Sequence, residues 1–254
     1  MHQHDSIDRI APTLEPDQPV LLHQNWHHLG FFHWEIPAPA LQALIPPRLT
    51  IDTFEGKAFV GLVPFTMTGV RPVMLPPLPW VSSFHEINVR TYVHLDGGDP
   101  GVWFFSLDAS SALAVTAARA AYKLPYFESE IAFEATHDAM PAIRFDSRRT
   151  DPDGVLPANA HLEYRPIEGS AAPAAPGTLE HFLVERYILY AQDEQRQLHR
   201  ARVHHQPYPV PRCETATFDE TLIWAAGIKR AEQPAYRHYA REVNVEIFNL
   251  RGLD

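Results

Sequence analysis

The fold of this chain is decided by the segment Phe84-His-Glu-Ile-Asn-Val-Arg-Thr-Tyr-Val-His-Leu95, whose character alternates with a period of two. Successive side chains of a β-strand point to opposite faces. One face carries Ile87, Val89, Thr91, Val93 and Leu95, and the other carries Glu86, Asn88, Arg90, Tyr92 and His94. The segment therefore predicts a strand with one core face and one polar face.

The polar face of this strand has two interpretations. A solvated outer face explains it, because antiparallel sheets commonly turn one side to water. Alternatively the residues line a shared surface, since side chains two apart on one face lie about 6.6–6.8 Å apart along the strand. A carboxylate (Glu86), an amide (Asn88) and a guanidinium (Arg90) would then face one pocket.

The residues that follow predict a second strand and a helix. Glycines 97, 98 and 101 turn the chain back into a strand over 102–107. Ser110 and Ser111 are placed to cap an alanine-rich helix from Ala112 to about Tyr122, which Pro125 ends.

Elsewhere the chain predicts many short strands and few short helices, without a repeating strand–helix–strand pattern. This favours an α+β, mostly antiparallel architecture. Leu49–Phe54 and 57–68 are expected to form a hairpin around Gly56. The proline-rich segment 72–81 is expected to be a loop that packs on the core, covers a pocket or contacts another subunit. Residues 1–19 are expected to be a flexible arm, and residues 20–254 a single domain.

Composition excludes several classes of protein. The chain has 254 residues, 24 prolines and a formal net charge of −10, which disfavours binding to nucleic acid or to an anionic membrane. No apolar run approaches the roughly 18 residues of a membrane span, and the N-terminus lacks a signal-peptide pattern. A cytoplasmic location is expected. The single cysteine, Cys213, excludes an intramolecular disulfide and is expected to be structural.

No motif for a cofactor or a metal is present. Phosphate-binding, dinucleotide-binding and serine-hydrolase signatures are missing, as is the paired-histidine motif of zinc proteases. Histidines are frequent over 23–33, but on a strand His27 and His33 share a face that His28 does not. We therefore expect no cofactor and no metal site.

Two cationic residues in or near the predicted helix are further candidates for the functional site. Arg119 lies among small apolar residues, so it is either a surface residue or a guanidinium aimed at a carboxylate. Lys123 follows one turn later, and a lysine in an apolar site can serve as a nucleophile, although a surface position explains it more simply.

Several segments together resemble the uncharacterised YqjF-like family of bacterial proteins. They include Trp26-His-His-Leu-Gly-Phe-Phe-His-Trp34, Glu86-Ile-Asn-Val-Arg-Thr-Tyr-Val93, Leu124-Pro-Tyr126 and Glu185-Arg-Tyr187, and the resemblance extends from about residue 21 to about 248. It implies an acetoacetate decarboxylase-like fold, a curved antiparallel sheet or barrel around a central cavity with a few short helices.

The resemblance also implies where the family chemistry is missing. In the decarboxylase an arginine-bearing helix leads to a proline and then to paired lysines, one of which forms a Schiff base. Arg119 and Pro125 match, but Tyr126 and Phe127 stand where the lysines belong, which argues against that mechanism. Glu86 matches a cavity glutamate, with Arg119 as its expected partner.

The expected site follows from the strand face and the resemblance together. We expect Glu86 and Arg119 to be catalytic, and the substrate to be bound by Asn88, Arg90, Tyr92, Lys123 and Tyr126. Two functions remain open. One is a lyase-like protein that binds a small organic acid or carbonyl compound. The other is a non-catalytic ligand-binding or interaction protein in which Glu86 and Arg119 form a closed ion pair. A homodimer is an expectation from the resemblance only.

Overall fold

A computed structural model describes residues 7–76, 82–151, 156–167 and 172–253. The strands are β1 (Val20–Ile36), β2 (Leu49–Ile51), β3 (Ala58–Pro72), β4 (Phe84–Leu95), β5 (Gly98–Ala109), β6 (Tyr126–Ala135), β7 (Ile143–Arg149), β8 (Asn159–Pro166), β9 (Ile188–Gln192), β10 (Leu198–His205), β11 (Cys213–Glu220), β12 (Tyr236–Phe248) and β13 (Arg251–Gly252). The α-helices are α1 (Ala38–Gln42), α2 (Ala112–Tyr122), α3 (Leu179–Val184) and α4 (Leu222–Ala225).

The sheet closes its hydrogen bonding in a ring. Strands β5, β9, β10, β12, β1, β3 and β4 pair in that order, and β4 pairs again with β5. Most neighbours are antiparallel, but β5 pairs in parallel with both β6 and β9. The expected α+β, mostly antiparallel sheet around a central space is confirmed, with these parallel contacts as an addition.

Strand β4 is buried on both faces. Its residues Ile87 and Val89 point out of the ring and pack in a core with Phe145 and Leu162. That outer core is covered by a second layer, in which β6, β7, β8 and β11 continue the sheet. The polar face of β4 points into the ring, where Glu86 is 2% exposed. The alternative of a solvated outer face is therefore wrong for this strand.

Helix α2 begins and ends as the sequence indicates. The Ser111 hydroxyl accepts a hydrogen bond from the Ala114 amide at 3.3 Å, which caps the first turn. At the other end Lys123 has a φ of 55°, a left-handed conformation that stops the helix before Pro125. This places α2 across one side of the ring.

The hairpin expected for residues 49–68 is wrong. Residues Phe54 and Lys57 form an isolated bridge around the turn at Gly56, but β2 pairs with β4. The backbone amide of Asp52 also bonds to the Tyr92 carbonyl, so the chain stays beside β4 until the turn. Of the proline-rich segment 72–81, residues 77–81 lie outside the described part. Met74, just before them, is 90% exposed.

The N-terminal segment, expected to be a flexible arm, makes specific contacts where it is described. Arg9 forms an ion pair with the buried carboxylate of Asp52. Arg202 donates hydrogen bonds to the carbonyls of Pro12 and Leu14, at 2.8 and 3.0 Å. These contacts attach residues 9–14 to the ring.

Gly101 offers a direct test of the parallel contact between β5 and β9. A Cβ at this buried position would lie 2.6 Å from the backbone carbonyl oxygen of Ile188, whereas one at Gly98 would lie 3.8 Å from its nearest atom. We expect Gly101→Ala to lower the free energy of unfolding by about 1–3 kcal/mol because the two strands must separate. Gly98→Ala is the control in denaturant unfolding; equal stabilities of the two variants would contradict the close contact.

Candidate functional site

The ring encloses a cavity of about 430 Å³, within the usual size range of small-molecule sites. Most of its wall is apolar, supplied by the inward faces of β1, β3, β4 and β5 and by one side of α2. Charged and amide side chains on the wall are Gln24, Glu86, Asn88, Arg90 and Arg186. The site is thus an apolar chamber with a concentrated polar strip along β4.

Glu86 is a buried carboxyl group without a cationic partner among the described residues. It accepts a hydrogen bond from the Tyr126 hydroxyl at 2.8 Å and a long one from the Asn88 amide at 3.4 Å. Burial raises the pKa of Glu86 to about 7, with a smaller contribution from the nearby charge of Asp108. A carboxyl group with this pKa can both release and accept a proton near neutral pH.

Asn88 and Arg90 continue the strip with unused hydrogen-bonding capacity. The Oδ1 atom of Asn88, which is 5% exposed, has no hydrogen-bond partner among the described residues, and neither has the Nε atom of Arg90. Arg90 donates from Nη2 to the Leu183 carbonyl at 3.2 Å. Its guanidinium lies over the Phe31 ring, 5.5 Å from the centroid.

Arg90 is also a buried positive charge that no described carboxylate neutralises, since none lies within ion-pair distance. Arg186, the second arginine on the cavity wall, does have a carboxylate partner. Its Nη1 atom pairs with Asp52 at 2.8 Å, and its Nε atom donates to the Phe182 carbonyl. Within the described part of the chain, Nη2 of Arg186 lacks a partner.

Tyr92 lies beneath both arginines and does not line the cavity. Its ring is 5.7 Å from the Arg90 guanidinium carbon and 4.8 Å from that of Arg186. Its hydroxyl donates to the Leu183 carbonyl at 2.6 Å, so His33 donates to the same hydroxyl from Nε2. Burial holds the pKa of His33 well below its usual value, which keeps this imidazole neutral.

The two cations expected from α2 require correction. Arg119 does not pair with Glu86: it forms an ion pair with Asp151, donates to the Tyr126 carbonyl, and is 40% exposed. Its side chain leaves α2 on the side facing away from the cavity wall, so the expected Glu86–Arg119 pair is wrong. Lys123 is exposed, and its ammonium donates to the Ala120 carbonyl.

The lysines of the chain, all within the described residues, stay outside the cavity. Besides Lys123 they are Lys57, which pairs with Glu35 at 2.9 Å, and the exposed Lys229. No lysine amine therefore faces the cavity to form a Schiff base with a bound carbonyl. Tyr126, at the position where the resemblance requires a lysine, instead contributes its hydroxyl to Glu86.

The histidines of the first strand make separate contacts. His27 bonds to the Thr68 hydroxyl, and His28, with a φ of 55°, bonds to the Tyr239 hydroxyl. Within the described residues no cluster of three or more histidine, cysteine or acidic side chains has a geometry that could hold a metal ion. In the same part of the chain no helix is long and apolar enough to cross a membrane.

A family model covers most of the chain. Residues 23–244 match the model of DUF2071, described as an uncharacterized conserved protein. The chain belongs to the DUF2071 family. It is 35% identical over 236 residues to the uncharacterized protein YqjF of Bacillus subtilis (strain 168), covering 93% of this chain and 94% of YqjF. The resemblance seen in the sequence is thereby confirmed.

Solved structures show that this DUF2071 protein has an acetoacetate decarboxylase-like fold. An acetoacetate decarboxylase from Legionella pneumophila matches with a TM-score of 0.60 at 10% identity, covering 99% of this chain and 94% of that one. The enduracididine biosynthesis enzyme MppR, complexed with a condensation product of pyruvate and imidazole 4-carboxaldehyde, matches with a TM-score of 0.62 at 13% identity, covering 93% and 90%.

Arg186 and Tyr208 are among the wall residues that sequence reasoning missed in this DUF2071 protein. Arg186 was part of a matching segment, but its role depends on Asp52, which lies 134 positions earlier. Tyr208 borders the cavity and donates its backbone amide to the buried carboxylate of Glu185 at 2.9 Å. No local pattern points to either contact.

Proposed function

We propose that the cavity binds a small organic acid or carbonyl compound. The carboxylate or carbonyl oxygen lies at Arg90, and Glu86 is placed to move a proton. Asn88 lies beside Glu86 on the wall and donates its amide to that carboxyl group. Tyr126 holds the Glu86 carboxyl group, and Tyr92 orients Arg90 from below. Arg119 and Lys123, which lie outside the wall, have no part in this site.

The proposal rests on one observation, the missing carboxylate partner of the buried Arg90 guanidinium. A buried charge is costly unless it is paired, yet this guanidinium has no described carboxylate partner and keeps an unused Nε donor. A ligand carboxylate supplies the missing negative charge. Charge-assisted hydrogen bonds of this kind are the strong ones in proteins.

The arrangement supports proton transfer without a Schiff base. Glu86 in its ionised form can take a proton from the carbon next to a ligand carbonyl, and the electron pair then forms an enolate whose oxygen faces Arg90. Return of the proton restores the starting compound. Exchange of the α-protons of 2-oxobutanoate in deuterated buffer, followed by proton NMR, tests this step against Glu86→Gln.

A non-catalytic binding protein is the alternative, and one observation favours it. Both oxygens of Glu86 already accept hydrogen bonds, from Tyr126 and Asn88. The version of this alternative with a closed Glu86–Arg119 pair and no cavity is excluded, because Arg119 pairs with Asp151. Binding of 2-oxobutanoate without any α-proton exchange would support the alternative and contradict the proton-transfer step.

Arg90→Met is expected to weaken acid binding while raising stability. Loss of the charge-assisted contacts lowers the affinity for a carboxylate roughly 10- to 100-fold. The same change removes an uncompensated buried charge and keeps its apolar bulk, so the free energy of unfolding rises by about 1–2 kcal/mol. Calorimetric titration and denaturant unfolding measure the two effects.

The matched control is Arg148→Met, because Arg148 pairs with Glu130 on the surface with both side chains more than half exposed. Such pairs contribute little, so both measurements should stay at their wild-type values. An Arg90→Met variant that binds carboxylates as well as wild type would remove the basis of the proposal.

A further inference from the structure

The shape of the cavity carries information about the ligand beyond its acidic group. Five of the residues that line it are also exposed, and all five are apolar: Leu21 (38%), Pro72, Leu113 (59%), Ala117 and Ala121. We define them as the rim. They come from the start of β1, the end of β3 and the length of α2, so they mark where the chamber opens.

Arg90 lies at the far end of the chamber from the rim. Leu22 pairs with Pro72 at the rim, and β3 then runs inward until Gly61 pairs with Arg90. Along β4 the order is Phe84, Glu86, Asn88, Arg90, so the six steps from Phe84 to Arg90 span about 20 Å at roughly 3.4 Å per residue.

A cavity of about 430 Å³ that extends over this length is long and narrow, and it is called the channel from here on. Its inner end holds the unpaired guanidinium, and Glu86 lies part-way along. From Glu86 outward the wall is mostly apolar, with Leu22, Val70 and Phe84 leading to the rim and Gln24 as a polar exception. A short polar acid would fill the inner end and leave this outer stretch in contact with water.

We infer that the ligand is an acid with an extended apolar tail, its carboxylate at Arg90 and its tail lying along the channel toward the rim. This inference rests on the proposed function, which supplies the acid at Arg90, and adds the substrate class. An acyl or arylalkyl chain fits the channel because burying each methylene group is favourable without any polar partner.

The test is calorimetric titration of the purified protein with butanoate, hexanoate, octanoate and decanoate, each below its micelle concentration. Burial of each added methylene group tightens binding about fourfold. Octanol, which has the tail without the charge, should bind much more weakly than octanoate. The series stops tightening once the tail passes the rim.

A rim variant separates binding in the channel from adhesion to apolar surface elsewhere. Leu113→Asp should weaken decanoate roughly tenfold, the equivalent of about two methylene groups, and leave butanoate unchanged. Leu156→Asp is the control, since this leucine is 52% exposed and does not line the cavity. Equal weakening of decanoate by both variants would overturn the channel assignment.

The remaining outcomes distinguish the inference from the proposed function. If butanoate and decanoate bind with the same affinity, and Arg90→Met abolishes both, the acid site stands and the tail assignment fails. If none of the acids binds, the proposed function fails and the inference fails with it.

Discussion

Glu86→Gln is expected to make the protein more stable than wild type above pH 7, by about 3 kcal/mol. The pKa of Glu86 rises from 4.5 to about 7 because the carboxyl group is buried. When the pKa of a group differs by one between the folded and the unfolded protein, the free energy of unfolding changes by about 1.4 kcal/mol. The neutral amide occupies the same volume and still accepts a hydrogen bond from Tyr126.

The pH dependence of this effect has a defined sign. Below pH 4.5 the carboxyl group of Glu86 is protonated in both the folded and the unfolded wild type, so it does not lower the free energy of unfolding. Between pH 4.5 and about 7 the unfolded chain ionises first, and wild-type stability falls as the pH rises. Above about pH 7 the cost is constant. The advantage of Glu86→Gln should therefore appear across this window and then level off, as denaturant unfolding at a series of pH values would measure.

Glu35→Gln is the control, because the pKa of Glu35 is shifted in the opposite direction to that of Glu86. Hydrogen bonds from Lys57 and Tyr236 hold the pKa of Glu35 below its usual value, so its charge is favourable in the folded state. Removing that charge should bring no gain in stability at any pH. A Glu86→Gln variant no more stable than wild type at alkaline pH would show that the Glu86 carboxylate is solvated, not buried in the cavity wall.

Asp52→Ala is expected to lower the free energy of unfolding by about 3–5 kcal/mol. Asp52 is 1% exposed and pairs with Arg186, whose side chain is 2% exposed, and with Arg9. Removing one partner leaves a buried guanidinium without its counter-charge, which is the costly way to break such a pair. The effect is measured by denaturant unfolding.

A second substitution shows whether the charge is responsible. Arg186→Met in the Asp52→Ala background removes the orphaned cation, so the double variant should regain a large part of the lost stability. Glu130→Ala, which breaks an exposed pair with Arg148, should change stability by less than about 1 kcal/mol. If the double variant is less stable than Asp52→Ala, packing rather than charge explains the loss.

The sequence predicted the polar strip because a single strand carries it. Alternation along β4 places Glu86, Asn88 and Arg90 on one face whatever the rest of the chain does. That this face points inward followed from the resemblance, which implied a sheet closed around a cavity, whereas the second layer that covers Ile87 and Val89 was not predicted. The helix α2 was equally predictable, since its cap and its end lie within a few residues of it.

The partners of the charged side chains could not be predicted from local pattern. Arg119 lies 32 positions from Asp151, and Arg186 lies 134 positions from Asp52. A helix position fixes the direction of a side chain only relative to its own helix, so the choice between Glu86 and Asp151 depended on how α2 lies across the ring. The hairpin expected at Gly56 failed for a similar reason, because β2 found its partner in β4.

The most direct test of the acid site is a crystal structure of the protein with octanoate. We predict its carboxylate at the inner end of the cavity, about 2.7–2.9 Å from nitrogen atoms of Arg90, with the tail passing Glu86 toward Leu113. An octanoate molecule seated elsewhere, or an Arg90 guanidinium that makes no contact with the carboxylate, would contradict the account.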